Sequence, residues 1–207
     1  MRVVLIGGGG HASDILNALE ATYGRDGHPV IAIVDPDPRG ACRFADRSVR
    51  QVSDIRELDG GGATHFVLAA GWPAARRRLL AEAADLQPWT VVHPAAHVAT
   101  GAVIGEGAVV LAGAIVSARA RIGAHALVHH NAVIGHDCVV GDFASVMPGA
   151  AISGDTVIGA GALVGANAVL IQGLRIGDGA TLGAGAVATR DIPAGATAMG
   201  SPARWAD

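Results

Sequence analysis

The adjacent residues His136 and Asp137 are the pair in this chain best suited to proton transfer. A histidine that accepts a proton near neutral pH benefits from a carboxylate that orients the ring and stabilises its cation. The pair therefore predicts a general base, His136, assisted by Asp137. The next residue, Cys138, occupies a position where small residues recur, so we expect it to be buried rather than to act as a nucleophile.

Four consecutive glycines, residues 7–10, follow an apolar run and precede a segment with helical periodicity. Such a turn lets backbone N–H groups approach an anionic or nucleotide ligand at the start of a helix. The sequence is not a full GxGxxG motif, because no third glycine stands in register, and a tight turn without a ligand is the alternative. His11 at the end of the turn favours a ligand. Asp35 closes the next apolar run about 25 residues later, where dinucleotide folds carry an acid that binds ribose.

Residues 91–186 repeat every six residues without interruption. The second position of each hexad is Val, Ile or Leu, from Val92 to Leu182, and the sixth is small except at Leu174. An α-helix cannot use this period, because six residues are not a whole number of turns. A solenoid of short strands can, since each hexad forms one flat face and three faces close one triangular coil. We predict a parallel β-helix with the aliphatic residue inside and the small residue at the corner.

Residues 1–88 lack this period and alternate apolar runs with helical segments. Strands that alternate with helices predict a small parallel sheet with right-handed crossovers, which is a Rossmann-like α/β unit. We expect the chain to comprise this unit, a β-helix over residues 89–192, and an irregular tail over residues 193–207, where Pro and Gly are frequent.

The composition excludes several classes of function. All 15 basic residues are arginine, which excludes a lysine Schiff base and a phosphate-loop lysine. The net charge of −3 gives no electrostatic reason to bind nucleic acid, and no apolar run is long enough to span a membrane. Two cysteines, Cys42 and Cys138, do not make a disulfide framework. We therefore expect a cytoplasmic protein without nucleic-acid or membrane partners.

The hexad repeat resembles that of the hexapeptide acyltransferases, which form left-handed parallel β-helices and work as trimers. Four segments narrow the resemblance to one branch: IGGGGHA at residues 6–12, VVHPAA at 91–96, VIGHDCVVGDF at 133–143 and GSPAR at 200–204. That branch contains sialic-acid O-acetyltransferases and the nucleotide-sugar N-acetyltransferases of the bacillosamine and perosamine pathways. The resemblance extends over almost the whole chain. It implies an enzyme that uses acetyl-CoA as co-substrate and needs no metal.

The resemblance also assigns roles to individual residues. In that branch the histidine of the HD pair is the general base and the acid raises its basicity, and these residues are His136 and Asp137 here. The glycine-rich turn and the acid after the second strand hold the nucleotide part of the sugar. The pantetheine arm of acetyl-CoA lies in a groove between two solenoids. The matching positions are Gly9, Gly10, His11, Asp35 and Asp37 for the sugar nucleotide, and Ser145, Gly154, Ala166 and Ala184 for acetyl-CoA.

The reaction implied by the resemblance is direct transfer of an acetyl group to the amino group of a nucleotide-linked 4-amino sugar, in a homotrimer with sites between subunits. Three departures concern the pocket around the acceptor. Bacillosamine-type members carry His where this chain has Ser145, Asn where it has His129, and commonly Glu where it has Gly135. The departures keep O-acetylation of a sialic-acid-type sugar open as an alternative.

Two further classes remain as alternatives. Carbonic-anhydrase-like members of the superfamily bind zinc or iron between subunits, with two histidines separated as His125 and His130 are here. The hexad phase of these two histidines disagrees with that pattern, and Trp89 stands where the third ligand belongs. A non-catalytic protein that binds nucleotide sugars is the other alternative, and the departures at Ser145 and His129 motivate it.

Overall fold

The computed structural model describes residues 1–35, 49–58, 62–83 and 85–206. Asp37, which the sequence assigns to the sugar nucleotide, lies outside the described residues. The described chain forms a small parallel sheet with helices, followed by a left-handed parallel β-helix, so the predicted fold class is confirmed. In these ranges no helix has the length and apolarity needed to cross a membrane.

The N-terminal unit is a five-stranded parallel sheet. Its elements are β1 (Val3–Ile6), α1 (Gly10–Tyr23), β2 (Val30–Val34), β3 (Arg50–Val52), β4 (His65–Leu68), α2 (Pro73–Leu79) and β5 (Gln87–Pro88), with 3₁₀ turns at Ile55–Glu57 and Leu80–Ala83. The strand order is β3-β2-β1-β4-β5. The central strand β1 is apolar throughout and fully buried, because elements of the fold cover both faces of a parallel sheet. The apolar runs predicted as strands therefore occupy the middle of the sheet.

The C-terminal unit is a three-sided solenoid of two-residue strands. In chain order these are β6 (Val91–Val92), β7 (His97–Val98), β8 (Val103–Ile104), β9 (Val109–Val110), β10 (Ile115–Val116), β11 (Arg121–Ile122), β12 (Leu127–Val128), β13 (Val133–Ile134), β14 (Val139–Val140), β15 (Ser145–Val146), β16 (Ala151–Ile152), β17 (Val157–Ile158), β18 (Leu163–Val164), β19 (Val169–Leu170), β20 (Arg175–Ile176), β21 (Thr181–Leu182), β22 (Val187–Ala188) and β23 (Thr197–Ala198). Face 1 contains β6 and every third strand to β21, then β23; face 2 runs from β7 to β22, and face 3 from β8 to β20.

Each strand pairs with the strand one coil later, as Arg121 does with Val139, so equivalent residues are 18 positions apart. The aliphatic residue of each hexad points inward: Val116, Ile134 and Ile152 are at most 2% exposed. The small residue that follows is buried at the corner, which confirms the predicted arrangement. Pairing also reaches beyond residue 192, because β23 adds to β21 within the segment predicted to be an irregular tail.

Three corners connect the faces, and we name each by the faces it joins. Corner 2–3 contains residues 135–138 and their equivalents one coil away, corner 3–1 contains residues 141–144, and corner 1–2 contains residues 147–150. Several corners turn through non-glycine residues in the left-handed region, such as Asp137 with φ of 60°. Asn and Asp tolerate this conformation better than most residues because their short polar side chains can hydrogen-bond locally.

The N-terminal unit packs on face 1 of the solenoid. Ile15 and Leu16 of α1 share a buried apolar cluster with Val109, Leu111 and Leu127 of the solenoid. The outer side of face 1 is buried from β6 to β15, whereas Thr197 of β23 is exposed. Faces 2 and 3 remain exposed in the protomer, together with corner 2–3.

One buried arginine, Arg76, makes hydrogen bonds to both units at their junction. Arg76 of α2 is 2% exposed, and burial lowers its pKa to about 10. Its guanidinium group donates to oxygens on both sides of the junction, at 2.7–3.0 Å. The acceptors are the carbonyl oxygens of Ala70, Gly71, His125, Phe143 and Ala144, and Oγ of Ser145.

Candidate functional site

His136 and Asp137 lie together at corner 2–3, where the chain turns between β13 and β14. The Nδ1 atom of His136 is 2.8 Å from Oδ2 of Asp137, and the His136 side chain is 53% exposed. A carboxylate accepts, so the imidazole proton lies on Nδ1 and the lone pair of Nε2 is free. The geometry is that of a base oriented by an acid, with its reactive nitrogen accessible from outside the solenoid.

Arg119 completes this group from the preceding coil. Its Nε is 2.6 Å from Oδ1 of Asp137 and its Nη2 is 2.7 Å from Oδ2. The Arg119 guanidinium, and secondarily the His136 ring, lower the pKa of Asp137 to about 2, so this carboxyl is ionised at neutral pH. The sequence interpretation missed Arg119. The available signal was its spacing, since it precedes Asp137 by 18 residues, which is one coil.

Gly154 lies directly beneath the imidazole, one coil after His136. A Cβ atom at this position would stand 2.5 Å from Cε1 and 2.6 Å from Nε2 of His136. Among the residues described, no oxygen accepts a hydrogen bond from the Gly154 N–H. Gly135 also approaches this amide, because a Cβ there would be 2.6 Å from the Gly154 nitrogen. Glycine at both positions therefore leaves an amide donor beside the free nitrogen of the base.

Replacement of Gly154 with alanine is expected to displace the His136 ring without unfolding the coil. The φ angle of Gly154 is not in the left-handed region, so alanine suits the backbone, but its methyl group collides with the ring. A misplacement of about 1 Å in a catalytic group costs on the order of 10²-fold in rate. Steady-state turnover of the variant, with a thermal melt to verify folding, checks this expectation. Unchanged turnover in a folded Gly154→Ala protein would show that the ring position is unimportant.

Cys138 does not offer a nucleophile. Its side chain is fully buried in the small-residue position of the corner, and its Sγ lies 3.1 Å from the carbonyl oxygen of Ser153. Burial raises the pKa of the thiol, which disfavours the thiolate needed for attack. The expected burial of this cysteine is therefore confirmed.

The glycine-rich turn joins β1 to α1 and presents exposed backbone. Gly9 and Gly10 are exposed at the first turn of the helix, with open space where a side chain would be. Asp35 follows β2, and its Oδ2 accepts a hydrogen bond of 2.9 Å from the Gly8 N–H. A cavity of about 230 Å³ adjoins Asp35, lined also by Ile33, Gln51, Val52, Ser53 and Glu57. The structure thus brings Gly9, Gly10 and Asp35 to one edge of the sheet, beside a pocket.

The His11 side chain does not point toward the ligand side of the glycine-rich turn, where the sequence predicts it. Its ring faces the solenoid rather than the mouth of the turn, and its side chain is 7% exposed. There it meets the ring of His129 at a centroid distance of 5.6 Å, while Asp14 lies between the two. The meeting of His11 with His129 was not anticipated, because the two rings come from different units of the chain.

The two rings predict a loss of stability in mild acid. Burial chiefly lowers the pKa of His129 from its ordinary value of 6.5 to about 4, with His11 and His130 adding repulsion and Asp14 opposing it. Below pH 6.5 the His129 imidazole of the unfolded chain becomes protonated, whereas in the native protein it stays neutral down to about pH 4. The free energy of unfolding therefore decreases as the pH falls through this interval. The urea midpoint should fall from pH 7 to pH 4.5, and it should fall less in His129→Asn. An equal acid loss in both proteins would contradict this assignment.

The positions assigned to acetyl-CoA are divided among three places. Gly154 lies beside His136 at corner 2–3. Ala166 and Ala184 stand on successive coils of corner 1–2, and face 2 separates them from His136 in the protomer. Ser145 is fully buried at the junction of the two units, where its Oγ donates to the Gly71 carbonyl at 2.7 Å. Its side chain is therefore not accessible to a ligand, because the junction with the N-terminal unit covers it.

The histidine pair of the metal-dependent alternative is also separated. His125 lies at corner 3–1 between the rings of Phe66 and Phe143, with centroid distances of 5.8 and 5.0 Å. His130 lies at corner 1–2 against His129. The two imidazoles therefore do not face a common site.

Comparison with known proteins shows similarity to a family of transferases and to solved structures with the same architecture. The family model for bacterial transferase hexapeptide repeats matches residues 119–154 and 155–190. A comparison with curated proteins by sequence finds no match. Among solved structures, a mutant of perosamine N-acetyltransferase from Caulobacter crescentus, in complex with CoA and GDP-perosamine, is 33% identical. The alignment covers 100% of this chain and 97% of that one, with a TM-score of 0.88.

Two other structures are similar over nearly the whole chain. The acetyltransferase domain of PglB from Neisseria gonorrhoeae, in complex with acetyl coenzyme A, is 32% identical, with 99% of this chain and 98% of that chain covered and a TM-score of 0.84. WeeI from Acinetobacter baumannii shares the fold at 24% identity, with full coverage of both chains and a TM-score of 0.87. This chain belongs to the hexapeptide-repeat transferases, in the branch that includes the perosamine N-acetyltransferase of Caulobacter crescentus.

Proposed function

We propose that this protein transfers the acetyl group of acetyl-CoA to the amino group of a nucleotide-linked amino sugar. The observation that carries the proposal is the His136–Asp137 pair with the Gly154 amide beside it. Support comes from relatives of 33% and 32% identity that were crystallised with CoA and GDP-perosamine, and with acetyl coenzyme A. A cytoplasmic location, where acetyl-CoA and nucleotide sugars are found, is part of the proposal.

The proposed chemistry is a direct transfer. The sugar amine attacks the thioester carbonyl carbon, and Nε2 of His136 takes the proton that the nitrogen loses as the new N–C bond forms. The Gly154 N–H donates to the oxyanion of the tetrahedral intermediate. When the C–S bond breaks, the proton on His136 passes to the departing CoA thiolate. Asp137 stays ionised throughout and stabilises the imidazolium.

The sugar nucleotide is assigned to the edge of the N-terminal sheet. The exposed amides of Gly9 and Gly10 begin a 14-residue helix, and such amides bind the oxygens of a diphosphate. Asp35 and the cavity beside it are placed to receive the nucleoside.

A homotrimer accounts for the division of the acetyl-CoA positions. Within one protomer Gly154 and Ala166 are on different corners, so one pantetheine arm reaches both only if two copies each supply one corner. Face 2 also exposes a column of apolar residues, Ile115, Val133 and Val169, which a second solenoid would cover. Sedimentation or light scattering at micromolar concentration measures the assembly. A monomer under these conditions would contradict the shared site.

Arg119 is expected to hold Asp137 in the position that orients the base. Its guanidinium donates to both carboxylate oxygens, so its replacement by glutamine removes these charge-assisted hydrogen bonds and lets Asp137 move away from His136. The kcat of Arg119→Gln should fall by up to about 10²-fold, the usual cost of a catalytic group displaced by about 1 Å. Arg119→Lys keeps the charge and serves as the matched control. Equal kcat for the glutamine variant and the native enzyme would contradict this role.

The direct test of function is thiol release from acetyl-CoA with a panel of acceptors. The panel contains GDP-, UDP- and dTDP-linked 4-amino sugars, and free and CMP-linked sialic acid. Turnover with an amino sugar, together with a product that mass spectrometry identifies as the amide, supports the proposal. Turnover with sialic acid alone would replace N-acetylation by O-acetylation. Binding of a nucleotide sugar without any transfer would favour a binding protein.

A further inference from the structure

A second carboxylate lies beside the base at corner 2–3, and the chemistry proposed above does not use it. Asp155 follows Gly154, one coil after Asp137, and its backbone N–H donates to the His136 carbonyl at 2.9 Å. An imidazole nitrogen of His136 and one carboxylate oxygen each of Asp137 and Asp155 lie within 4.8 Å of one another. Asp155 is exposed, so its carboxylate and the base are both accessible from solvent at this corner.

The Asp155 carboxylate is held in place, but its charge is not neutralised. The amide Nε2 of Gln172, from the next coil, donates to Oδ2 of Asp155 at 2.9 Å. The other oxygen, Oδ1, accepts no hydrogen bond from the described residues, and none of their basic side chains forms an ion pair with Asp155. The guanidinium at this corner, that of Arg119, donates to Asp137 instead. One oxygen of Asp155 can therefore accept a hydrogen bond from a substrate.

The backbone does not require a carboxylate at this position. Asp155 has a φ angle of 57°, in the left-handed region, and the equivalent residue one coil later is Gly173, with a φ angle of 78°. Glycine adopts this conformation more readily than aspartate, so the turn itself does not explain the acid. The position of the carboxylate beside the base points instead to the substrate.

We propose that Asp155 accepts a hydrogen bond from the attacking amine and thereby makes the enzyme select an amino group over a hydroxyl group, an inference that rests on the proposed acetyl transfer. Nε2 of His136 is 2.6 Å from the point where a Cβ atom of Gly154 would stand, so it lies over the residue that precedes Asp155. Two hydrogen bonds of about 2.9 Å from one tetrahedral nitrogen place their acceptors about 4.7 Å apart. The spacing of at most 4.8 Å between an imidazole nitrogen and an Asp155 oxygen allows one amine to bridge the two residues.

The selectivity arises from the number of hydrogens on the attacking atom. As the N–C bond forms, the nitrogen of a primary amine becomes positively charged and carries two protons. One passes to Nε2 of His136 and later to the CoA thiolate, and the other remains as the N–H of the amide product. Asp155 accepts from this second N–H, and its negative charge stabilises the cationic nitrogen. A hydroxyl group has a single hydrogen, which His136 takes, so an attacking alcohol cannot donate to Asp155.

The experiment compares two acceptors that differ at the attacking atom. One is the GDP-, UDP- or dTDP-linked 4-amino sugar with the highest turnover, and the other is the same nucleotide sugar with a hydroxyl group at carbon 4. In Asp155→Gly the kcat for the amine should fall about 10–100-fold, the usual effect of losing a hydrogen bond to a charged group. Formation of the ester from the hydroxyl sugar, measured by mass spectrometry, should not fall. If the native enzyme forms too little ester to measure, the 4-methylamino sugar, which has one N–H, replaces the hydroxyl sugar.

Two further variants separate recognition of the amine from a structural role. Asp155→Asn keeps the volume and suits the left-handed turn, but its single amide oxygen is the one that Gln172 holds, so it should lose amine turnover as the glycine variant does. Asp178→Asn is the matched control, because Asp178 accepts from the Ala160 N–H at corner 3–1, and it should keep turnover with both acceptors.

Thermal melts verify that each variant is folded. Full amine turnover in both Asp155 variants, or an equal loss with the two acceptors, would overturn the inference and leave acetyl transfer intact. A native enzyme that forms no amide from any amino sugar would instead contradict the proposed function, and the inference with it.

Discussion

Replacement of His136 with alanine is expected to reduce acetyl transfer by about 10²–10⁴-fold, the usual contribution of a positioned general base. The Nε2 atom of His136 is the free basic nitrogen at corner 2–3, since Nδ1 is bonded to Asp137. No other histidine lies at this corner in the described chain. The loss should appear in kcat, because the ring acts on the reacting amine and contributes little to holding either substrate.

The fold should be unaffected by this change. The His136 side chain is half exposed and the coil core beneath it is formed by Ile134 and Cys138, so the melting temperature should stay the same. His65→Ala, which removes a partly exposed histidine from β4 of the N-terminal sheet, is the matched control and should keep full turnover. Turnover of His136→Ala close to that of the native protein, with the same acceptor, would exclude His136 as the base.

Replacement of Arg76 with methionine is expected to lower the free energy of unfolding by about 3 kcal/mol. Two of the acceptors keep another donor in the variant: the Ala144 carbonyl accepts from the Leu127 N–H, and the Gly71 carbonyl accepts from Oγ of Ser145. The carbonyl groups of Ala70, His125 and Phe143 lose their donor. Each buried carbonyl left without a partner costs about 1–3 kcal/mol. The substitution also removes a buried charge that no carboxylate neutralises, and this is favourable for stability. We therefore expect a net loss near the lower end of the summed cost of the three carbonyl groups.

Chemical denaturation followed by circular dichroism measures the change in stability. Arg78→Met is the matched control, because Arg78 is exposed on the same helix and its replacement should stay within about 0.5 kcal/mol of the native protein. The Arg76 variant should also unfold in more than one transition, because the N-terminal unit loses its hydrogen bonds to corner 3–1. Equal midpoints for the two variants would show that the apolar contact of α1 suffices to hold the units together.

The repeat made the solenoid predictable from sequence. An aliphatic residue every six positions specifies which side chain points inward, and the corner position of His136 and Asp137 follows from the same phase. The sheet was predictable because β1 and β2 are uninterrupted apolar runs and β4 is apolar after His65. The pair of His136 and Asp137 could be foreseen, because the two residues are neighbours in the chain and a corner directs their side chains to the same side.

Contacts between the two units could not be read from the sequence in this way. Arg76 meets acceptors 49 to 69 positions away, and nothing in a row of three arginines indicates which one is buried. His11 turns toward His129 because α1 packs on face 1, a contact that local periodicity does not specify. The same junction buries Ser145. These three departures from expectation, at Arg76, His11 and Ser145, lie at the surface where two independently predictable parts fit together.

The 18-residue coil restricts how this enzyme can change in length during evolution. Gain or loss of a whole coil leaves every later residue on its original side of the triangle, as the pairing of Arg121 with Val139 illustrates. Gain or loss of a single hexad leaves the core packing unchanged, because all hexads share one pattern. It does, however, move every later residue to a different face of the triangle. A deletion of six residues between Gly135 and Gly154 would carry Gly154 away from His136 while preserving a foldable protein. Selection therefore acts on such length variants through catalysis: the spacing of 18 residues from His136 to Gly154 must be kept, whereas whole coils can be gained or lost outside the coils that carry Arg119, His136 and Gly154.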